Sequence, residues 1–138
     1  MQFAMIRDRV EADAASPAAI DISSLPGVWV NSNPDSNGFA RIVMSESNGK
    51  LTIHVFAIGP DGLIDWGTSD ATVFASGASS RVAAGFTCRY DFGFVETTLQ
   101  AMILKGLIVL AELHSFRDDS KRADYFVREY FALEHGRY

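Results

Sequence analysis

Seven side chains set in apolar, strand-like stretches are of types that can carry or receive protons or hold an oxyanion: Arg41, His54, Arg89, Glu112, His114, Arg128 and Glu129. No known catalytic spacing unites them. Glu112 and His114 lie two residues apart, which on a strand puts them on one face, as a carboxylate–imidazole dyad requires. His54 would have to join them from across the fold. If all three met, two imidazoles and a carboxylate would also suit a metal ion. Asp118, Asp119 and Ser120 offer further oxygen ligands but lack the full spacing of a cation loop, and read as a polar hairpin. The sequence therefore assigns no metal, no cofactor and no catalytic residue, and everything turns on which faces the strands present.

The strands follow from punctuation. After Leu25-Pro26 the chain becomes short runs rich in Val, Ile, Phe, Thr and Tyr, separated by turn residues. Seven breaks stand out: 33–38, 47–49, 59–62, 76–80, Gly93, Lys105-Gly106 and 118–121. Asn48-Gly49 is the strongest, because a two-residue hairpin turn needs positive φ at both central positions. Seven breaks predict eight strands, over 27–33, 38–46, 50–58, 63–75, 81–92, 94–104, 107–117 and 123–133. Each connection is too short for a crossover helix, so sequence neighbours pair antiparallel. An open meander would leave two exposed edges, and closure removes them. The expected fold is all-β, a single eight-stranded antiparallel up-and-down β-barrel with the first strand meeting the eighth. Residues 1–26 form an N-terminal arm or short helix, with Phe3, Ile6 and Val10 on one helical face and Pro17 as its stop, and residues 27–138 form the barrel domain.

Alternation predicts the interior. Leu51, Ile53, Val55 and Ala57 share one face of the third strand, Phe86, Cys88, Tyr90 and Phe92 of the fifth, and Thr97, Leu99, Ala101 and Ile103 of the sixth. For the seventh, Leu107, Val109, Ala111 and Leu113 are expected inside, with Glu112 and His114 outside in water. An inverted register would instead make the interior polar. Ile108, Leu110, Phe56 and Met102 leave the outer face more apolar than solvent requires, which points to oligomer contacts or cover by the arm.

With 138 residues the chain has the size of one domain, and its 48% hydrophobic content is ordinary for a globular protein. No apolar run approaches the roughly 20 residues of a membrane-spanning helix, and Met1 to Glu11 is interrupted by charges, unlike a secretory leader. Cys88 is the only cysteine, so an intramolecular disulfide is impossible, in keeping with a reducing compartment. A cytoplasmic location is expected. A net charge of −5 with scattered basic residues favours neither nucleic acid nor anionic lipid as partner.

Gly27-Val28-Trp29-Val30-Asn31 resembles the Gly-x-Trp opening of the calycin barrels, the lipocalins and avidins, and the avidins also place Asn two after the Trp. In lipocalins an Arg near the end of the barrel packs across that Trp, and the resemblance implies this role for Arg128, so that Trp29 and Arg128 close one end. Asn31 stands where avidins have a biotin-contacting Asn. The aromatic wall of a biotin pocket is represented here by Trp66 alone, and the disulfides and terminal helix of lipocalins are missing.

The remaining polar and aromatic groups gather at the opposite, open end. Asp65-Trp66-Gly67 follows a turn at the mouth, and Tyr90, Tyr125 and Tyr130 combine an apolar ring with a hydroxyl that can orient a guest. The expected site is the mouth, contacted by Asn31, Trp66, Tyr90 and Tyr130. Its expected function is binding of a small, mostly hydrophobic molecule in a protein that forms a homo-oligomer. The alternatives are a small barrel enzyme, a cyclase or isomerase acting on a hydrophobic substrate, and a filled oligomerising structural barrel.

Overall fold

The computed structural model describes residues 19–134. The expected helix over the first residues lies outside that range. Nine strands follow in order: β1 (Gly27–Asn31), β2 (Phe39–Ser47), β3 (Lys50–Gly59), β4 (Gly62–Asp70), β5 (Thr72–Ala75), β6 (Ala83–Asp91), β7 (Val95–Leu104), β8 (Leu107–Phe116) and β9 (Tyr125–Leu133). Among the described residues there is no helix, and every strand pair is antiparallel. The turn chemistry is as the sequence demands. Asn48-Gly49 and Lys105-Gly106 each have positive φ at both positions, the geometry that matches the right-handed twist of the flanking strands.

The strands form one sheet in the order β4-β3-β2-β1-β9-β8-β7-β6-β5. The first strand meets the last, with Trp29 opposite Leu133 and Asn31 opposite Phe131. The sheet curls into a half-barrel rather than closing as the expected eight-stranded barrel. The cause is the long fourth run, 63–75, which breaks at Ala71 instead of continuing as one strand. Its first part pairs with β3 and its second with β6, so β4 and β5 become the two edges. Across the seam between β4 and β6, Ser69 Oγ donates to the Arg89 carbonyl at 2.9 Å, where a ladder would otherwise run.

One end of the curl is solid. Trp29, Met44, Leu51, Ile53, Ile108, Leu110 and Phe131 are buried there with Ile22 and Leu25 from the segment ahead of β1. That segment is bridged to the start of β6, with Asp21 N–H donating to the Arg81 carbonyl at 2.6 Å and Ala83 N–H to the Asp21 carbonyl at 2.9 Å. The indole N–H of Trp29 donates to the Leu25 carbonyl at 2.8 Å, so the largest ring at this end is buried without an orphaned donor. Burying each such side chain contributes about 1.5–3 kcal/mol.

Facing follows the sequence reading in β3, β6 and β7, where Ile53, Val55, Phe86, Cys88 and Leu99 are all buried. In β8 it is reversed. Ile108, Leu110, Glu112 and His114 face inward, and Leu113, expected inside, is 38% exposed. The reason is register. The tight turn at Lys105-Gly106 pairs Leu104 with Leu107, which sets Leu99 opposite Glu112 and Thr97 opposite His114. Directly opposed residues share a face, so an inward Leu99 carries Glu112 inward with it.

Candidate functional site

The mouth, opposite the plugged end, holds a cavity of about 620 Å3 bounded by the loop after β1, the start of β2, the ends of β3 and β8, the start of β9 and Trp66. Its floor is polar. Glu112 of β8 is 1% exposed, and Glu129 of β9 lies diagonally beside it, since Glu129 pairs with Leu110 and Glu112 with Val127. The two carboxyl groups divide one proton. Burial pushes the Glu112 carboxyl up to about 10, reinforced by a hydrogen bond and repulsion from Glu129. For Glu129 burial also acts upward, but hydrogen bonds from Glu112, Ser36, the Phe39 N–H and Asn31 outweigh it and hold the carboxyl below its ordinary value. At neutral pH Glu112 is thus an acid and Glu129 an ion, as expected when two carboxyls share a dry site.

Glu129 also organises the rim. It accepts from Asn31 Nδ2 at 2.8 Å, from Phe39 N–H at 3.2 Å and from the Ser36 hydroxyl. These bonds tie the 32–38 loop to β9. Gly38 fits only because it has no side chain: a Cβ there would sit 2.6 Å from Glu129 Oε1. Glu112, by contrast, is short of partners. Its Oε2 receives no hydrogen bond from any described residue. Its Oε1 is 3.6 Å from His114 Nε2.

His114 is buried beneath Tyr125, which stacks on it at 4.6 Å. Burial lowers its basicity despite the opposing pull of Glu129, so the ring is neutral at physiological pH. Its Nδ1 lies 2.8 Å from the Thr97 hydroxyl. When Thr97 donates there, the ring proton sits on Nε2 and points toward Glu112. Glu129, Glu112 and His114 therefore form a line of ionised base, acid and neutral imidazole across the cavity floor.

Trp66 forms the opposite wall, and a β-bulge puts it there. Phe56 pairs with Asp65 and His54 with Thr68, so β4 carries one residue more than β3, with Gly67 at φ +81 completing the bulge. Asp65 stabilises it from outside by accepting from Gly67 N–H at 2.7 Å and from His54 Nε2 at 2.6 Å. Those bonds, the Gly67 one first, hold the Asp65 carboxyl below its ordinary value. From inside, the Tyr90 hydroxyl approaches the Gly67 carbonyl at 2.9 Å and the Ile53 carbonyl at 3.1 Å. Trp66 then meets Phe39, Tyr90, Phe92 and His114 edge to face, at centroid distances of 4.8 to 6.4 Å.

Compared with known protein families, with curated proteins and with solved structures, the chain matches none. The site stands on its geometry alone.

Of the four residues expected at the mouth, Asn31, Trp66 and Tyr130 border the cavity. Tyr90 lies beneath Trp66 with its hydroxyl spent on backbone carbonyls, and burial moves that hydroxyl well above its ordinary pKa. Tyr130 reaches the rim through its backbone, whose carbonyl accepts from Ser32 N–H at 2.8 Å. Its ring belongs to the outer face, opposite Val109. Trp29 and Arg128 are not brought together as barrel closure. Trp29 lies opposite Leu133, and Arg128, an odd number of residues from Leu133, projects on the other face of β9 opposite Ala111. His54, paired with Asp65 outside, does not join Glu112 and His114. Among the described residues no group of three or more His, Cys, Asp or Glu is placed to hold a metal.

The sequence reading missed Glu112, His114 and Glu129 as interior groups. The signal that finds them is the two-residue turn at Lys105-Gly106. With Thr97 and Leu99 taken as inward, that turn requires His114 and Glu112 to be inward too; Glu129, beyond the 117–124 connection, is placed only by the β8–β9 register.

Proposed function

We propose that the chain binds a small, mostly apolar molecule at the mouth of the curled sheet, in the manner of a calycin-like barrel. The observation that carries this reading is the cavity of about 620 Å3 between Trp66 and Tyr125, within the usual volume range of small-molecule sites. The guest sits at the mouth rather than along the axis, because the deeper half is filled by Trp29, Ile53, Leu110 and Phe131. Supporting features are Asn31 at the rim, the convergent carboxyls of Glu112 and Glu129 on the floor, and the rings of Phe39, Trp66 and Tyr125 in the wall. An environment-sensitive apolar dye should bind about stoichiometrically and change Trp66 fluorescence. Ala57→Phe, which enlarges a side chain lining the cavity, should abolish this in a variant that still folds. Undiminished dye binding by that variant would move the site to the outer face.

A second reading, a cyclase or isomerase acting on a hydrophobic substrate, is favoured by the acid Glu112 and the base Glu129 in one dry cavity. Proton addition and removal during a double-bond shift need such a pair. Deuterium uptake from D2O into unsaturated ketones, lost in both Glu112→Gln and Glu129→Gln, is its test. Self-association is proposed from the apolar outer face, where Met102, Leu104, Leu113 and Phe126 are all exposed. Light scattering of the purified chain measures it. A cytoplasmic location agrees with Cys88, a buried thiol that burial pushes up to about 12. No helix among the described residues is long and apolar enough to cross a membrane.

A further inference from the structure

The chemistry of the cavity floor says more about the guest than its volume does. Glu112 faces the cavity while 1% exposed, and its Oε2 is met by no donor among the described residues. A buried polar atom of this kind is costly unless something satisfies it. The missing partner is a hydrogen-bond donor, since Oε2 is a carboxyl oxygen with no donor on it among the described residues. Glu129 cannot supply it, being an ion that itself accepts from Asn31, Ser36, the Phe39 N–H and the Glu112 carboxyl. Neither glutamate is paired with a Lys or Arg among the described residues, so the negative charge of the pair has no counter-ion there. An anionic guest would be repelled. A neutral donor would fill the hydrogen-bond gap without any attraction to that charge.

The walls fit the same chemistry. Trp66 and Tyr125 flank the floor, and aromatic faces attract organic cations, most strongly where water is excluded. We propose that the guest of the mouth is a protonated amine on an apolar or aromatic body, with its N–H donors directed at Glu112 Oε2 and its positive charge held between Trp66 and Tyr125. This rests on the mouth being the binding site.

A proton balance follows. The free site carries one proton on the Glu112/Glu129 pair, and an incoming ammonium ion stabilises the ionised form of Glu112. Binding thus replaces the O–H···O bond between the carboxyls by N–H···O bonds, and the displaced proton goes to buffer. The groups that can modulate this are Glu129 and His114 on the floor, Asp35, Arg128 and Tyr130 at the rim, and Tyr125 over His114. From β7 the residues opposite are Thr97 and Leu99, which do not titrate.

The experiment is calorimetric titration of the full chain at pH 7 with phenethylamine, its N,N,N-trimethyl derivative, phenethyl alcohol and 3-phenylpropanoate, in phosphate and in Tris. The amine should bind at least about ten-fold more tightly than the alcohol, a difference of about 1.4 kcal/mol. The trimethyl derivative, which keeps the charge without an N–H donor, should fall between them, and the carboxylate should not bind. The buffer dependence of the heat should report proton release on amine binding and none on alcohol binding. Glu112→Gln should keep alcohol binding while losing both the amine preference and the proton release, with circular dichroism confirming its fold. Trp66→Leu should weaken the trimethyl derivative more than the alcohol. Equal affinities of amine and alcohol, or dye binding without amine binding, would overturn the cation assignment alone. Loss of the dye as well would overturn the mouth reading beneath it.

Discussion

The two ends of the curled sheet use the same strands to opposite purposes. At the plugged end the inward positions of β1, β2, β8 and β9 are Trp29, Met44, Ile108, Leu110 and Phe131, sealed by Ile22 and Leu25. A turn or two along, at the mouth, the inward positions of β8 and β9 become Glu112, His114 and Glu129. The plugged end satisfies the buried indole N–H of Trp29 internally, on the Leu25 carbonyl. The mouth keeps a carboxyl oxygen unmet. Apolar packing stabilises the fold, whereas a dry, half-satisfied polar group costs stability and is retained where it acts on something else.

That contrast is broken most severely from the plugged end. Trp29→Ala should cost about 3–5 kcal/mol in chemical denaturation, as truncation of a large buried ring does. A small change would mean that the seal by Leu25 and Trp29 is dispensable.

At the mouth, Glu129→Ala should cost about 1–3 kcal/mol, because Asn31, Ser36 and the Phe39 N–H lose their common acceptor. It should also accelerate amide exchange across 32–38, and protection left unchanged there would show that the loop is held by something else.

Glu112→Gln sharpens the comparison, since it should stabilise rather than destabilise. The folded-state pKa of Glu112 is raised to about 10 from an ordinary 4.5. Its contribution is therefore fully present below the unfolded value and is lost as pH rises toward the folded one. The loss cannot exceed about 1.4 kcal/mol per pH unit for one proton. The melting temperatures of parent and Glu112→Gln should be close near pH 5 and diverge in favour of the variant by pH 8. Parallel curves would remove the buried acid from the site.

Arg128→Ala should change stability by no more than about 0.5 kcal/mol, as for other exposed side chains. A large effect would restore a structural role to Arg128 and contradict its outward placement opposite Ala111.

Much of this was legible in the residues. Asn48-Gly49 and Lys105-Gly106 demand tight hairpins by backbone sterics alone, and short connections leave antiparallel pairing as the only geometry. Strands such as 51–57, with apolar residues on one face and polar ones on the other, reveal their orientation because a single register buries the apolar set. The segment Leu107-Ile108-Val109-Leu110 gives no such answer, being apolar on both faces. Choosing its orientation by keeping Glu112 and His114 in water is the safe default for isolated strands, and here it fails. Hydrogen-bond register to β7 fixes facing more strongly than the preference of two polar side chains for water.

Composition and turn chemistry determined an all-β meander with its first and last strands joined and an apolar interior over β3, β6 and β7. Only the tertiary structure decided that the sheet stays open at Ala71, that a bulge sets Trp66 over the cavity, and that Glu112 and Glu129 share a proton beneath it. Each of these depends on contacts between strands, such as Tyr90 of β6 against Gly67 of β4 and Asn31 of β1 on Glu129 of β9. Local propensity cannot specify a contact whose partner, as with Glu129 and Asn31, lies 98 residues away.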